Sequence, residues 1–386
     1  MGYPFPERHG PCTSIQGHLY RVIAEHGNKR SARALLKIHI AWIVMTETNA
    51  WFRIAGILQG MLFYFSYPDP HLGRILFWNA LFFVPARCRK AFRSFSGKDA
   101  VMMIICHEIG ELKDFVRRCK KEGKSIGLVT TMGALHEGHA SLIRAARKEN
   151  DIVITTVFVN PTQFGPNEDY DAYPRTLEKD SALAEACGAD LLFAPAPSAM
   201  YPHEEMTWVE VTGHVTKILC GRTRPIHFRG VATVCAKFFN LTECDRAYYG
   251  LKDAQQTQVL QRMVEDLFMN VELRLMPIVR EEDGFAKSSR NVYLSQEERK
   301  AALVLSRSLA HAKEAFQKGE RNKDALLTIV KNEIEEEPMS DINYVEMYEM
   351  PGLAELPETI EGNALLAVAV RFGKTRLIDN VILEAE

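Results

Sequence analysis

The chain has 386 residues, enough at roughly 100–200 residues per domain for two or three domains with sizeable cores. Hydrophobic residues at 47% and charged residues at 25% exclude wholesale disorder, a collagen-like repeat and an uninterrupted coiled coil. The net charge of −2 gives no global reason to expect nucleic acid or an anionic membrane as partner, but it hides an asymmetry: residues 1–102 carry 13 Lys and Arg against 5 Asp and Glu, and residues 103–386 carry 34 against 44.

Residues 1–102 hold three of the four tryptophans and nine of the twenty phenylalanines, in runs such as Leu62-Phe63-Tyr64-Phe65 that lack a regular period. Their longest charge-free stretch, Ile54 to Pro68, has fifteen residues, short of the roughly 20 apolar residues that span a bilayer. The segment reads as an extension outside any folded domain, with translation starting at Met102 or Met103; a peripheral docking segment and a targeting extension are the alternatives. From Met102 a regular pattern sets in, with Ile105, Ile109, Leu112 and Val116 at helical spacing. The eight cysteines form no C-x-x-C pair, so no zinc site is expected, and they read as reduced, buried thiols of a cytoplasmic protein.

Apolar runs and amphipathic stretches alternate from Ser125. The pattern predicts strands over 126–130, 152–159, 191–193, 246–249 and 273–279, and helices over 140–149, 176–187, 229–241 and 253–268. This βαβ rhythm predicts an α/β fold with a doubly wound parallel sheet over 103–280. The tail, 281–386, reads as helices over 295–318 and 322–337, then strands over 343–350, 364–370 and 377–383, with a hairpin turn at Phe372-Gly373-Lys374-Thr375. Such an α+β domain is placed to act as a lid.

Ligands of doubly wound sheets collect at the carboxyl ends of the strands. After the first predicted strand comes Thr131-Met132-Gly133-Ala134-Leu135-His136-Glu137-Gly138-His139. Two histidines three residues apart share one face of a helix's first turn, where unpaired N–H groups and the helix dipole attract anions. Such imidazoles suit nucleotide phosphates and charge developing on phosphorus, although either histidine alone would read as a cap. Asn160-Pro161-Thr162-Gln163 follows the second strand as an amide-rich loop. Gln256 falls in the apolar stripe of Leu260, Met263, Val264 and Leu267, where a buried amide needs a backbone or ligand partner. Lys252 lies at the same rim and suits phosphate oxygens; Arg222 to Arg229 concentrate cations between glycines, and Lys287 to Asn291 read as a phosphate clamp or a polar linker.

Together, MGALHEGH (132–139), FVNPTQF (158–164), YPRT (173–176), RPIHFRGVATVCAKFFN (224–240), YGLKDAQQ (249–256) and KSSRN (287–291) closely resemble the pantothenate synthetase family, from about Met103 to the C-terminus. The resemblance implies a Rossmann-like nucleotide domain, a smaller C-terminal domain and a homodimer, with no nucleic acid or membrane partner. It implies a reaction in which the pantoate carboxylate attacks the α-phosphate of ATP, giving pantoyl adenylate and pyrophosphate, before the β-alanine amine displaces AMP. By resemblance, Met132, Gly133, Ala134, Leu135, His136, Glu137, Gly138 and His139 bind ATP, His139 as catalytic acid and His136 at the phosphates. Gly250, Leu251, Lys252 and Asp253 bind the nucleotide, Val279 contacts adenine, and Lys287, Ser288, Ser289 and Arg290 close over the triphosphate. Gln163 and Gln256 hold pantoate, Gln163 also lying near β-alanine. Mg²⁺ is expected with ATP, with Asp180 as its ligand. The alternatives are another adenylyltransferase acting on a different carboxylate or nucleotide, and a binding or membrane-docking protein whose ligase domain has decayed; intact His136, His139, Lys252 and Gln256 speak against decay.

Two residues depart from the family pattern: Lys287 stands where Met or Leu usually precedes SSRN, and Leu251 replaces a polar or charged residue. Backbone contacts would leave both neutral, whereas a phosphate-binding Lys287 predicts that Lys287→Met raises the Michaelis constant for ATP; an unchanged constant defeats the second reading.

Overall fold

The computed structural model describes residues 102–166 and 168–385. The reading of 1–102 as an extension therefore falls, apart from Met102, outside the described residues. Six strands form one parallel sheet: β1 (Ile104–Cys106), β2 (Ile126–Val129), β3 (Ile152–Thr156), β4 (Leu191–Phe193), β5 (Arg246–Gly250) and β6 (Glu272–Met276), in the order β1-β4-β3-β2-β5-β6. The helices between them are α1 (Ile109–Lys121), α2 (Glu137–Glu149), α3 (Leu177–Ala186), the short α4 (Pro197–Met200) and α5 (Leu219–Thr223), then α6 (His227–Thr242) and α7 (Ala254–Asp266).

Alternation along the strands supplies two cores. Ile126, Leu128, Ile154, Leu191 and Phe193 pack with Leu112 and Val116 of α1 and with the apolar face of α6, whereas Val129, Val153, Leu192 and Tyr248 pack with Ala140, Ile143 and Ala146 of α2. Burial on both faces explains why these strands read as continuous apolar runs. Gly127 permits the second packing: a Cβ there would stand 2.6 Å from Asn150 Nδ2, the amide that bonds Ala146 O and Tyr248 OH beneath α2.

Among the boundaries that differ from expectation, three have a clear physical reason. The helical pattern beginning at Met102 opens instead as β1, because pairing with β4 outweighs local periodicity over Ile104–Cys106. β3 stops at Thr156 rather than 159, where the Phe158 N–H donates to Thr131 O and joins the loop after β2. β6 stops at Met276 because Pro277 has no N–H for the ladder.

The tail holds α8 (Gln296–Ala301), α9 (Leu303–Gln317), α10 (Lys323–Glu335) and an antiparallel sheet of β7 (Ser340–Glu349), β8 (Ala364–Phe372) and β9 (Thr375–Leu383). The helix expected over 295–318 is two, meeting at Ala302, where the Leu305 N–H donates to Ala302 O and tightens one turn. On β8, Leu366, Val368 and Val370 face the core with α9 and α10, while Leu365, Ala367 and Ala369 pack with Phe228 of α6 and Val259 of α7. The second face docks the tail on the parallel-sheet layer, and both belong to one compact unit. Among the described residues no helix is long and apolar enough to cross a membrane.

Candidate active site

The strand order reverses between β2 and β5, so their carboxyl ends flank a crevice. Beyond β2, the Thr131 hydroxyl donates to Thr156 O at 2.6 Å, and the chain turns through two left-handed residues, Gly133 (φ 90°) and Ala134 (φ 49°). A Cβ on Gly133 would meet Asp180 Oδ2 and Val157 Cγ1 at 3.1 Å, which adds close approach to its conformational requirement. Asp180 of α3, 1% exposed, accepts from the Ala134 N–H at 3.0 Å, the Leu135 N–H at 2.7 Å and the Thr176 hydroxyl at 3.1 Å. Its carboxylate supports the loop from behind and does not line the cavity. Asp180 as a magnesium ligand therefore does not fit its placement.

The next residues cap α2. The Gly138 N–H donates to His136 Nδ1 at 3.1 Å, and the His136 N–H donates to His139 Nδ1 at 3.3 Å, a reciprocal capping box made from two imidazoles with ring centroids 4.2 Å apart. Because each Nδ1 accepts, the neutral rings carry their protons on Nε2. Burial, followed by Lys252 and Lys287, pushes His136 down to about 4; burial, followed by His136 and Lys252, pushes His139 down to about 3. Near neutral pH both are uncharged N–H donors.

These rings line a cavity of about 1370 Å³. Of the residues read from the sequence, Met132, His136, Gly138, His139, Gln163, Gly250, Lys252, Asp253, Gln256, Val279, Lys287, Ser288, Ser289 and Arg290 line it, whereas Gly133, Ala134, Leu135, Glu137, Leu251 and Asp180 do not. Glu137 pairs with Arg144 on the exposed side of α2. On α7 the buried amides are Gln255, bonded to Val215 O, Ile218 O and the Cys220 N–H, and Gln258, which accepts the Gly352 N–H. Gln256 is half-buried and faces the cavity.

Gln163 is 7% exposed; its Nε2 meets Met132 Sδ at 3.1 Å and its Oε1 accepts from Asn160 Nδ2 at 3.1 Å. Its carbonyl accepts from His227 Nδ1 at 3.1 Å and Arg224 Nη2 at 3.3 Å. The sequence reading missed His227 as a site residue, although it lies within RPIHF. Burial and Arg224 push its ring down to about 3, so it remains neutral and donates through Nδ1. Also missed were Glu168 and Asp169: Glu168 forms a two-point pair with Arg224, and Asp169 accepts from Arg290 Nε and Nη2 at 2.9 and 2.8 Å. Burial alone would raise the Asp169 carboxyl, but Arg290 outweighs it and holds it below the ordinary range. The hydroxyl of Ser289 donates to Ala134 O at 3.1 Å, joining the clamp segment to the cap loop.

Such a sheet, with its crevice at the reversal point and a histidine-capped helix on one wall, defines an α/β protein of the Rossmann-like class. Residues 104–382 match the model of the pantoate-beta-alanine ligase family. The pantothenate synthetase of Acetivibrio thermocellus is 53% identical over 282 residues, 73% of this chain and 100% of that one. A crystal structure of pantothenate synthetase from Thermus thermophilus superimposes with a TM-score of 0.69 at 44% identity, covering 72% of this chain and 99% of that one. The pantoate-beta-alanine ligase of Francisella tularensis, complexed with beta-gamma ATP and beta-alanine, gives 0.59 at 31% identity, covering 74% and 99%. The chain belongs to the pantoate-beta-alanine ligase family.

Two outcomes follow from this geometry. Asp180→Ala strands two backbone N–H groups and should cost about 2–4 kcal/mol, measured by urea unfolding; Asp180→Asn, whose amide oxygen still accepts, should cost less, and an equal loss would count against this supporting role. His136, His139 and His227 all have depressed folded values, so the unfolded chain binds more protons between about pH 4 and 6.5 and stability falls as pH is lowered through that window. His227 alone should remove about 2 kcal/mol between pH 7 and 5; equal urea midpoints at the two pH values would contradict the assigned neutral rings.

Proposed function

We propose that the chain catalyses the ATP-dependent condensation of pantoate with β-alanine to pantothenate, a step of coenzyme A biosynthesis, through a pantoyl adenylate. The observation that carries the reading is the convergence of His136, His139, Lys252, Gln163 and Gln256 on one cavity, in a chain 53% identical to pantothenate synthetases.

In the first step a pantoate carboxylate oxygen attacks the α-phosphorus of ATP, and the bond to the bridging oxygen of the β-phosphate breaks to release pyrophosphate. Charge accumulates on oxygens around phosphorus, and the Nε2–H donors of His136 and His139 are in place to receive it before the reaction begins. Lys252 balances the pyrophosphate charge from the opposite wall. We assign His139 a hydrogen-bonding role near neutral pH, since its ring is unprotonated there. Gln163 and Gln256 orient pantoate, and hydrogen bonds from the His227 and Arg224 side chains to its carbonyl hold Gln163. In the second step the β-alanine nitrogen attacks the acyl carbon and AMP leaves; the amine loses its proton as the amide forms.

Among the described residues no three His, Cys, Asp or Glu side chains converge as a metal cage. The cavity carboxylates Glu168, Asp169 and Asp379 are tied to arginines, which leaves Asp253 as the carboxylate without one among the described lining residues. That donor set fits an Mg²⁺ ion carried on the phosphates of ATP, with Asp253 as its protein contact. The ion would supply charge neutralisation at the β- and γ-phosphates. We further read the chain as a cytoplasmic homodimer, on the family resemblance and on six buried free thiols among the described cysteines.

The test is pantoate-dependent exchange of labelled pyrophosphate into ATP with Mg²⁺ and without β-alanine. Exchange is expected, and His139→Ala should lower its rate by about 10²–10³. A folded, ATP-binding chain that shows no exchange with pantoate would move the assignment to another carboxylate.

A further inference from the structure

Two stretches of cavity-lining backbone, at Leu251–Lys252 and at Val279–Arg280, are tied to one dipeptide of the C-terminal sheet. Asn380 of β9 is 4% exposed, and its Nδ2 donates to Leu251 O and Lys252 O, both at 3.0 Å. Asp379, 3% exposed, accepts a two-point pair from Arg280, Nη1 at 2.7 Å and Nη2 at 2.9 Å. Arg280 Nη2 also donates to Asn380 O at 3.3 Å, and the Asn380 N–H donates to Asp379 Oδ1 at 2.8 Å. Arg280 follows Val279, whose carbonyl accepts the Lys287 N–H at 3.0 Å, and it bridges Ala286 across a short antiparallel turn. Cavity-facing Lys252 and the Val279–Arg280 stretch are thus tied to one anchor, which Lys287 reaches only through the Val279 carbonyl.

The chemistry of that anchor is specific. Packing alone would be met by apolar side chains without the desolvation cost of a buried carboxylate and amide. An amide whose two N–H bonds reach consecutive carbonyls fixes the orientation of the peptide between Leu251 and Lys252, and with it the direction in which the Lys252 side chain leaves the backbone. Arg280 and Asp379 fix the amide in turn, because they hold both the N–H and the carbonyl of Asn380.

We propose that Asn380, held by the Asp379–Arg280 pair, is a positioning residue that sets Lys252 against the phosphates of the nucleotide, opposite His136. The C-terminal sheet then contributes to adenylate formation through the Lys252 backbone. This inference rests on the ligase reading above.

The experiment is pantoate-dependent pyrophosphate exchange by wild type, Asn380→Ala, Lys252→Ala and the double variant of the full chain. Asn380→Ala should raise the Michaelis constant for ATP about tenfold, as for two lost hydrogen bonds, with that for pantoate unchanged. In the Lys252→Ala background the same substitution should add nothing, since it acts through the lysine. Equal rises in both Michaelis constants, or full additivity with Lys252→Ala, would reduce Asn380 to a stability residue and overturn the proposal. Should Asn380→Ala fail to fold, Asp379→Asn keeps the shape while weakening the Arg280 pair, and the same comparison is read from its smaller effect. A folded wild type without pantoate-dependent exchange removes the ligase reading, and the proposal with it.

Discussion

The first turn of α2 presents more N–H donors than the helix can satisfy, and the site is organised by how they are shared. Asp180 takes the two donors of the approaching loop, at Ala134 and Leu135. His136 and His139 take the Gly138 and His136 donors through Nδ1. A Ser or Thr cap with Glu three residues on would satisfy the same N–H groups, but it would leave no second ring nitrogen. Here the groups that complete the helix also leave two N–H donors on the cavity wall, so the helix end and that wall are one structure. The left-handed Gly133 and Ala134 follow from this, since only a sharp turn brings the loop onto Asp180 and delivers His136 to the cap.

Four of the cavity's cations are held in two different ways. Arg224 and Arg290 are each bound at two points by carboxylates of the segment between Gly165 and Tyr173, so their charge is largely balanced within the protein. Lys252 and Lys287 meet carboxylates only at 3.8 and 3.7 Å and remain effective enough to depress His136. A polyanion approaching His136 therefore meets Lys252, Lys287 and neutral imidazole N–H groups rather than the paired arginines. The arginines instead fix walls: Arg224 bonds the Gln163 carbonyl, and Arg290 joins the clamp after β6 to the Asp169 segment.

Much of the fold was legible because burial on both faces writes itself into a strand as an apolar run. β1 was not: three residues are too short to show a period, and its existence depends on β4, some 85 positions away in the chain. In the site, His136 and His139 were readable from their spacing, whereas the direction of their protonation required the burial and the Nδ1 contacts that only the folded chain supplies. Gln256 was read as a buried amide in an apolar stripe, but it is half-buried and lines the cavity. Its neighbours Gln255 and Gln258 are the ones tied to backbone, a distinction set by the turn at 215–220 and by Gly352. Asp180 had the right residue type for a metal ligand, but its neighbours in space are N–H groups. Asp379 and Asn380 carried no signal, because one strand of a hairpin does not reveal which distant carbonyls it will reach.

The two departures from the family motifs now separate physically. Leu251 faces away from the cavity, and the structure uses its carbonyl, which Asn380 reaches whatever the side chain. The same logic recurs where the tail meets the parallel-sheet layer: Ser289 bonds Ala134 O, Tyr293 bonds Ala172 O, and the Gly352 N–H bonds Gln258 Oε1. Contacts that land on backbone tolerate sequence change in the loops they hold, provided the backbone path is kept. Lys287 differs in kind, since its side chain is part of the cavity wall and its charge bears on His136. A substitution at 251 can be absorbed by geometry, whereas one at 287 changes the electrostatic field at His136 and in the cavity.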